Sequence, residues 1–326
     1  MKIKDENFFK MIKMFLEVYL IKQKDFSVNT QKSYRESLSL LLKYFKEEHN
    51  ISYAKMGFEY MTYSNICNFL NWLETTRKSS NTTINQRLMS VRSFAKYCAI
   101  ADPAKIYFQV EMKNVPSKET DSKVVDFLTE NAMKVLVEQI DTSRPIGLRD
   151  KMFILLMYDL GARCQEMLGI KLCDLHLNKS EPTVYVYGKG NKTRIIPLSL
   201  EIVQLLKIYL EKFHPITVRN TQDYLFYVTA HGIRNKMSSD AVALFLRKYS
   251  SKGHSICEDL PERIHPHQIR HSRAMHLYRK GMPQVLLSEF LGHSNPATTK
   301  IYYGNEEKMG SKRQKVTICR NLPEIY

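Results

Sequence analysis

In the stretch HPHQIRHSRAMHLYRKG, residues 265–281, His267 and Arg270 are three positions apart. On a helix that spacing puts both side chains on one face, and Pro266 suits the first turn because no amide partner is needed there. This face would offer a proton acceptor beside a cation that binds oxyanions. An H-x-x-R pair also arises by chance, so the surrounding sequence decides its meaning. The remaining histidines of the stretch fall outside this spacing and are interpreted as capping, packing or supporting groups: His265, His271 and His276.

The segment DLGARCQEMLGI, residues 159–170, predicts a helix that breaks at Gly161 and a new helix that begins at Arg163. An arginine can grip a phosphate through two parallel hydrogen bonds, and Glu166, one turn further on, could hold that side chain in place. The alternative interpretation is an ordinary Arg–Glu pair on the protein surface.

The segment TVYVYGKGNKTRIIPL, residues 183–198, alternates apolar and polar residues, turns at residues 188–191 and alternates again. This pattern predicts a pair of antiparallel strands. Lys189 lies between two glycines, which allow the tip of the hairpin to approach a ligand closely. An ordinary solvated lysine is the alternative, and position alone does not choose between Lys189 and Lys192.

The segment LLSEFLGHSNPATTKIYYG, residues 286–304, predicts a helix that ends at Gly292, a connection that contains His293, and a second helix directly after it. Tyr302 stands nine residues beyond His293. On spacing alone, Tyr302 and Tyr303 could equally be packing residues of an amphipathic helix.

Taken in order, the motifs GARCQE, GKGNK, HQIRHS, LGHS and TTKIY resemble the signature of the tyrosine recombinases of the phage integrase family. The resemblance covers about residues 125–305, and it points to the compact Xer-like or transposon type. It implies a helical core-binding domain followed by a tyrosine recombinase catalytic domain. The family's catalytic arginine, lysine, histidine, arginine, histidine and tyrosine fall on Arg163, Lys189, His267, Arg270, His293 and Tyr302.

The resemblance also implies a mechanism, in which Tyr302 attacks DNA and forms a 3′-phosphotyrosine linkage. Tyrosine has an ordinary pKa of about 10, so it needs assistance near pH 7, and His267 is our candidate for the base. Lys189 would protonate the leaving 5′ oxygen, His293 would hydrogen-bond the phosphate, and the two arginines would bind its nonbridging oxygens. The linkage retains the phosphodiester energy, so we expect no metal, ATP or other cofactor.

The first third of the chain predicts an all-helical domain, because apolar residues from Phe9 to about Val110 recur at helical spacing. In it, the sequence SSNTTINQRLMSVRSFAKYC predicts a helix capped by Ser80 or Asn81. A basic side of this helix could lie on DNA, although a core helix with a solvated basic face fits the same spacing. The candidate DNA-binding residues of the whole chain are Arg87, Arg92, Lys96, Lys192 and Arg194.

A polar stretch without apolar periodicity, KNVPSKETDSK, follows this helical region and predicts a linker. We therefore expect a core-binding DNA-binding domain in residues 1–112, a linker in 113–123, and a catalytic domain with a C-terminal tail in 124–326. The predicted fold class is mainly α with a small β-sheet, that is, α+β.

The chain of 326 residues contains 49 Lys and Arg against 33 Asp and Glu, a net charge of +16, which favours a polyanionic partner. The six cysteines form no C-x-x-C pair, so neither a disulfide framework nor a zinc site is expected. The longest apolar run, MFILLMY from Met152, is too short to span a bilayer. We therefore expect a cytoplasmic protein with no membrane partner.

The expected partner is double-stranded DNA, and the resemblance implies a homotetramer on paired DNA sites, with accessory DNA-bending proteins as further candidates. Two alternatives stay open at this point. One is a nicking and closing enzyme like the type IB topoisomerases, and the other is a catalytically silent DNA-binding regulator. The filled six-residue pattern argues against the second.

Overall fold

The computed structural model describes residues 4–24, 26, 28–120, 126–188, 193–218, 220–292 and 299. The chain divides into two compact units, Met1–Ser122 and Lys123–Tyr326. Each unit has its own hydrophobic core, so each buries apolar surface without help from the other. The elements are mostly helices with small antiparallel sheets, which confirms the predicted fold class.

The described residues of the first unit form helices α1 (Glu6–Met14), α2 (Val28–Glu48), α3 (Tyr63–Thr75), α4 (Asn81–Ala101) and α5 (Ile106–Asn114). A π-helical stretch, Phe15–Gln23, continues α1. Their core is rich in aromatic rings, and Phe8, for example, makes edge contacts with Phe58 and Phe94.

Helix α4 begins as predicted, because the Ser80 hydroxyl accepts a hydrogen bond from the Thr83 backbone N–H. Its apolar face is fully buried, as Leu88, Val91 and Ala95 show. The predicted linker is held against this helix over much of its length. Helix α5 runs to Asn114, Val115 is fully buried, and the Asn85 amide exchanges two 2.8 Å hydrogen bonds with the backbone of Lys118.

The helices of the second unit are α6 (Glu130–Glu138), α7 (Pro145–Leu160), α8 (Cys164–Gly169), α9 (Leu200–Phe213), α10 (Ser239–His254), α11 (Pro266–Arg279) and α12 (Gln284–Leu291). Its strands are β1 (Leu175–His176), β2 (Thr183–Tyr187), β3 (Thr193–Pro197), β4 (Tyr227–Ala230) and β5 (Ile233–Lys236). One sheet has the order β1-β2-β3 and the other pairs β4 with β5, all antiparallel.

Helix α7 forms the centre of the second core. Every residue from Met152 to Leu160 is buried, and Phe153 makes an edge contact with Phe226 at 4.9 Å. The apolar run MFILLMY is therefore a core helix, and none of the described helices is long and apolar enough to cross a bilayer.

The strand pair β2–β3 confirms the predicted hairpin, with Val184 opposite Ile196 and Tyr187 opposite Thr193. Val184 and Val186 are fully buried, as the alternation of the sequence requires for one face of the sheet. The second hairpin, β4–β5, was not predicted. Its turn contains His231 and Gly232, both with positive φ, which is the backbone of a tight hairpin turn.

Candidate active site

The turn between α7 and α8 places Arg163 at the edge of the second core. Gly161 ends α7 with φ of +52°, a left-handed conformation that glycine adopts without steric cost. A Cβ at Gly161 would also lie 2.7 Å from the Phe290 ring, so the position has no space for a side chain. Arg163 follows as the N-cap residue of α8.

Glu166 forms a junction between three arginines. Its carboxylate is 5% exposed and accepts hydrogen bonds from Arg163 Nη1 at 2.6 Å and from Arg194 Nη2 at 2.5 Å. Arg270 Nη1 lies 3.8 Å away, and the Arg163 backbone N–H donates to the same carboxylate at 2.8 Å. Three guanidinium groups share one carboxylate, so the cluster carries an excess of positive charge that suits an anionic ligand.

Arg270 lies beneath this cluster on helix α11, with only 3% of its side chain exposed. Its Nη1 donates to the Gly161 carbonyl at 2.8 Å, and its Nη2 donates to the Leu291 carbonyl at 2.6 Å. Both carbonyls belong to the ends of helices, where backbone acceptors lack helical partners. These bonds fix the plane of the guanidinium and join the ends of α7 and α12.

Arg163 differs from Arg270 in its exposure. Of its side chain, 37% is open to solvent, whereas 3% of Arg270 is open. Within the part of the chain that the structure describes, only Nη1 of the Arg163 side chain has a partner. Arg163 can therefore turn toward a ligand from outside, while Arg270 supports the site from within.

His267 extends from the exposed first turn of α11, one turn before Arg270, as the H-x-x-R spacing predicted. Partial burial of its ring lowers the pKa of His267, and the positive charges of Arg270 and Arg163 lower it further. The neutral form is favoured near pH 7, and a neutral imidazole can accept a proton.

The other histidines of α11 serve the structure. The backbone N–H of His265 donates to the Gln268 side chain at 2.7 Å at the start of the helix. His276 is buried and lies 2.6 Å from the Tyr158 hydroxyl. Burial lowers the pKa of His271 to about 4, and its ring centre is 6.3 Å from that of His267. The positions of His265 and His276 agree with the predicted capping and packing roles.

Strand β3 brings Arg194 to the same cluster. Only 11% of its side chain is exposed, and besides Glu166 it contacts the Phe290 carbonyl, to which Nη1 donates at 2.5 Å. The sequence assigned Arg194 to DNA binding, and that role stays a prediction. Lys189 and Lys192, on the same hairpin, lie outside the described residues.

Helix α12 ends at Gly292, with φ of +64°, as the sequence predicted. A Cβ at Gly292 would lie 2.6 Å from Cδ of Arg194, so both the backbone and the neighbouring side chain require glycine. The predicted residues His293 and Tyr302 follow this point in the sequence and lie outside the described residues, as does Tyr303.

The candidate DNA-binding residues of α4 have different surroundings. Arg87 donates to the Ser37 hydroxyl at 3.0 Å and lies 3.6 Å from Glu36. Arg92 donates to several backbone carbonyls near the end of α5, including that of Met112 at 3.0 Å. Both therefore support the first unit directly. Lys96 is exposed to solvent.

Among the residues that the structure describes, no cluster of three or more His, Cys, Asp or Glu side chains has a geometry suited to a metal ion. The residues that meet at the candidate site are instead two arginines from the predicted pattern, a third arginine from β3 and the glutamate that joins them.

Comparison with known families matches residues 126–309 to the model of the phage integrase family. The chain belongs to this family. Residues 12–100 match the N-terminal SAM-like domain of phage integrases, so both units have counterparts.

Similar relatives include the tyrosine recombinase XerC of Bacillus subtilis, which is 30% identical over 91% of this chain and 92% of its own length. The tyrosine recombinase XerC of Staphylococcus epidermidis is 31% identical over 87% of this chain and 90% of its own length.

Two solved structures have a similar fold. The first is the XerH site-specific recombinase bound to a palindromic difH substrate, with a TM-score of 0.68, 21% identity, and coverage of 94% of this chain and 88% of that one. The second is the Tn1549 transposon integrase in complex with transposon right end DNA, with a TM-score of 0.66, 17% identity, and coverage of 90% and 96%.

Proposed function

We propose that this protein is a site-specific DNA recombinase that cleaves and rejoins DNA through a 3′-phosphotyrosine intermediate. The observation that carries the proposal is the arginine cluster. Arg163 and Arg270 come from segments more than 100 residues apart, and the fold brings both to the Glu166 carboxylate. Phosphodiester transfer adds negative charge to the nonbridging oxygens, and fixed cations stabilise that charge.

In the proposed mechanism, Arg163 binds the scissile phosphate from the open side of the cluster, and Arg270 stabilises it from below. His267 accepts the proton of the attacking hydroxyl, since its lowered pKa keeps the ring neutral near pH 7. Tyr302 is the nucleophile. Only about one tyrosine in a thousand is ionised at pH 7 without such help, so the base matters.

The remaining proposed roles follow the resemblance. Lys189 protonates the leaving 5′ oxygen, and His293 hydrogen-bonds the phosphate. The product is a phosphotyrosine diester, which conserves the energy of the broken bond. Rejoining therefore proceeds when a 5′ hydroxyl from a partner strand attacks it and expels Tyr302, without ATP.

Double-stranded DNA is the proposed substrate. The net charge of +16 supports this, and so do the similar recombinases solved with DNA. Exchange between two sites needs four cleavages, so we propose a homotetramer assembled on paired sites, with DNA-bending proteins as accessory factors. In the first unit, exposed Lys96 is the residue of α4 that we propose to contact phosphate. A cytoplasmic location remains a prediction from the sequence.

A nicked suicide substrate tests the proposal. Cleavage near the nick releases a short DNA fragment that carries the 5′ hydroxyl, so the strand cannot be rejoined and the covalent protein–DNA complex accumulates. The target DNA is to be sought by sequencing the regions that flank the encoding gene for repeats and element ends. We expect Tyr302→Phe to abolish trapping and Tyr303→Phe to retain it, once both variants are shown to bind DNA. Two adjacent residues point about 100° apart on a helix, so only one can face the phosphate. An adduct mapped to Tyr303 would refute the assignment.

Product topology separates recombination from nicking and closing. On a plasmid with two target sites, the proposed enzyme inverts or deletes the DNA between them, according to the orientation of the sites. A type IB topoisomerase-like enzyme would yield only relaxed circles.

A further inference from the structure

Arg194 is held by contacts within the second unit. Its side chain is 11% exposed, and it reaches inward from β3 to the buried Glu166 carboxylate. Burial lowers the pKa of Arg194, whereas the charge of Glu166 acts in the opposite direction. Both Nη groups of Arg194 therefore bond to acceptors within the second unit, one on α8 and one on α12.

The two contacts of Arg194 join separate segments of the second unit. Nη2 donates to Glu166, three residues after Arg163, at 2.5 Å. Nη1 donates at 2.5 Å to the carbonyl of Phe290, which lies in the last turn of α12 and three residues before His293. Arg194 itself is the second residue of β3, five positions after Lys189 in the sequence.

Gly292 shows how closely the Arg194 side chain approaches α12. A side chain at Gly292 would meet Cδ of Arg194 at 2.6 Å and Nε at 2.8 Å. Cδ and Nε of the Arg194 side chain therefore lie directly against the backbone at the end of α12. This close approach holds β3 against the end of α12.

We propose that Arg194 is a positioning residue for strand cleavage, which aligns the Lys189 hairpin, the Arg163–Glu166 turn and the end of α12 with one another. Arg194 acts through these segments and does not bind DNA phosphate. The planar fork of arginine is needed because its two Nη groups bond to partners on different elements. The inference rests on the proposed function, since the three segments carry its proposed catalytic residues.

The test compares Arg194→Lys and Arg194→Met with the wild-type chain. Lysine keeps the charge but loses the planar fork, and methionine loses both. Both variants should therefore slow cleavage at saturating DNA by at least about tenfold, which is the scale for lost supporting contacts. The Kd for DNA should stay within about twofold, because no phosphate contact is lost. The slope of log Kd against log salt should also stay unchanged, whereas loss of one phosphate contact would reduce it by about 0.9.

Arg149→Met is the matched control for removal of a buried arginine. Arg149 is 15% exposed and pairs with buried Asp150 at 2.7 Å, near the opposite end of α7 from Gly161. The Arg149→Met variant should lower thermal stability, as Arg194→Met does. Unlike Arg194→Met, it should leave the cleavage rate unchanged when both variants are assayed well below their melting temperatures. Arg194→Lys serves as the milder variant if methionine prevents folding.

A double-mutant cycle with Glu166→Gln tests whether Arg194 acts through the junction. The effects on the cleavage rate should be non-additive, with the double variant slower than the more impaired single variant by less than about threefold.

Either of two results would overturn the inference. One is near wild-type cleavage by Arg194→Lys, which would show that charge alone suffices. The other is a tenfold loss of DNA affinity with a reduced salt slope, which would show a phosphate contact. Failure of the proposed function appears separately, as relaxed circles alone on the plasmid with two target sites, and the rate comparison for Arg194 is valid whichever tyrosine attacks.

Discussion

Removal of the Glu166 carboxylate tests whether the junction holds the candidate site together. In Glu166→Ala, three arginines lose their shared acceptor inside the protein, where 5% of the Glu166 side chain is exposed. Breaking a buried charge pair by removing one partner costs about 3–5 kcal/mol. At about 2–4 °C per kcal/mol for a domain of this size, the melting temperature of the second unit should fall by about 6–20 °C.

Scanning calorimetry on the full chain measures this change, with Glu166→Gln as the intermediate case. Glutamine keeps the shape and one acceptor oxygen but removes the charge, so we expect about half the loss. Glu211→Ala is the control, because Glu211 is an exposed acidic residue of α9 and its removal should change stability by less than about 0.5 kcal/mol. A fall of less than about 2 °C in Glu166→Ala would refute the view of Glu166 as a structural junction.

Four further outcomes are expected. Arg163→Ala and Arg270→Ala should each slow cleavage by about a hundredfold or more, and near-normal rates in folded variants would contradict phosphate binding. DNA affinity should fall steeply as salt rises from 50 to about 200 mM, whereas a flat response would exclude broad phosphate contact. Cleavage should persist in excess chelator, and its loss on chelation with recovery on added magnesium would require a metal mechanism. Burial lowers the pKa of His276 to about 4, so the unfolded chain takes up this proton at higher pH than the folded chain does. Stability should therefore fall by about 2 kcal/mol from pH 6.5 to pH 5 through His276. His276→Gln should lose less stability over that range, and an equal loss would assign the effect to other groups.

Local sequence signals determined where the elements of the site begin and end. Gly161 and Gly292 end their helices in the left-handed conformation, and the alternating residues of 183–198 form the strand pair β2–β3. These features depend on backbone preferences and on the side-chain periods of strands and helices, 2 and 3.6 residues. Both depend only on residues that are neighbours in the sequence, so the sequence alone predicts them. The H-x-x-R spacing likewise predicts His267 and Arg270 on one face of α11 without any tertiary contact.

The second hairpin, β4–β5, shows a local signal that was overlooked. Its turn residues His231 and Gly232 both have positive φ, and a glycine at such a turn is a recognised hairpin signal. In the predicted linker, by contrast, the local composition was misleading. Its polar composition concealed Val115, which is fully buried because α5 returns that segment to the first core.

Only the tertiary structure decided which charges meet. Arg194 contacts Phe290 across 96 positions of sequence, and Arg270 contacts Gly161 across 109. The sequence predicted Arg194 as a DNA-binding residue of the hairpin. Periodicity predicts the face on which a side chain lies, but it does not predict which residues pack against that face. The folded core fixes the relative placement of β3, α8 and α11. Their proximity makes Glu166 a junction of three arginines, a property that belongs to none of the segments alone.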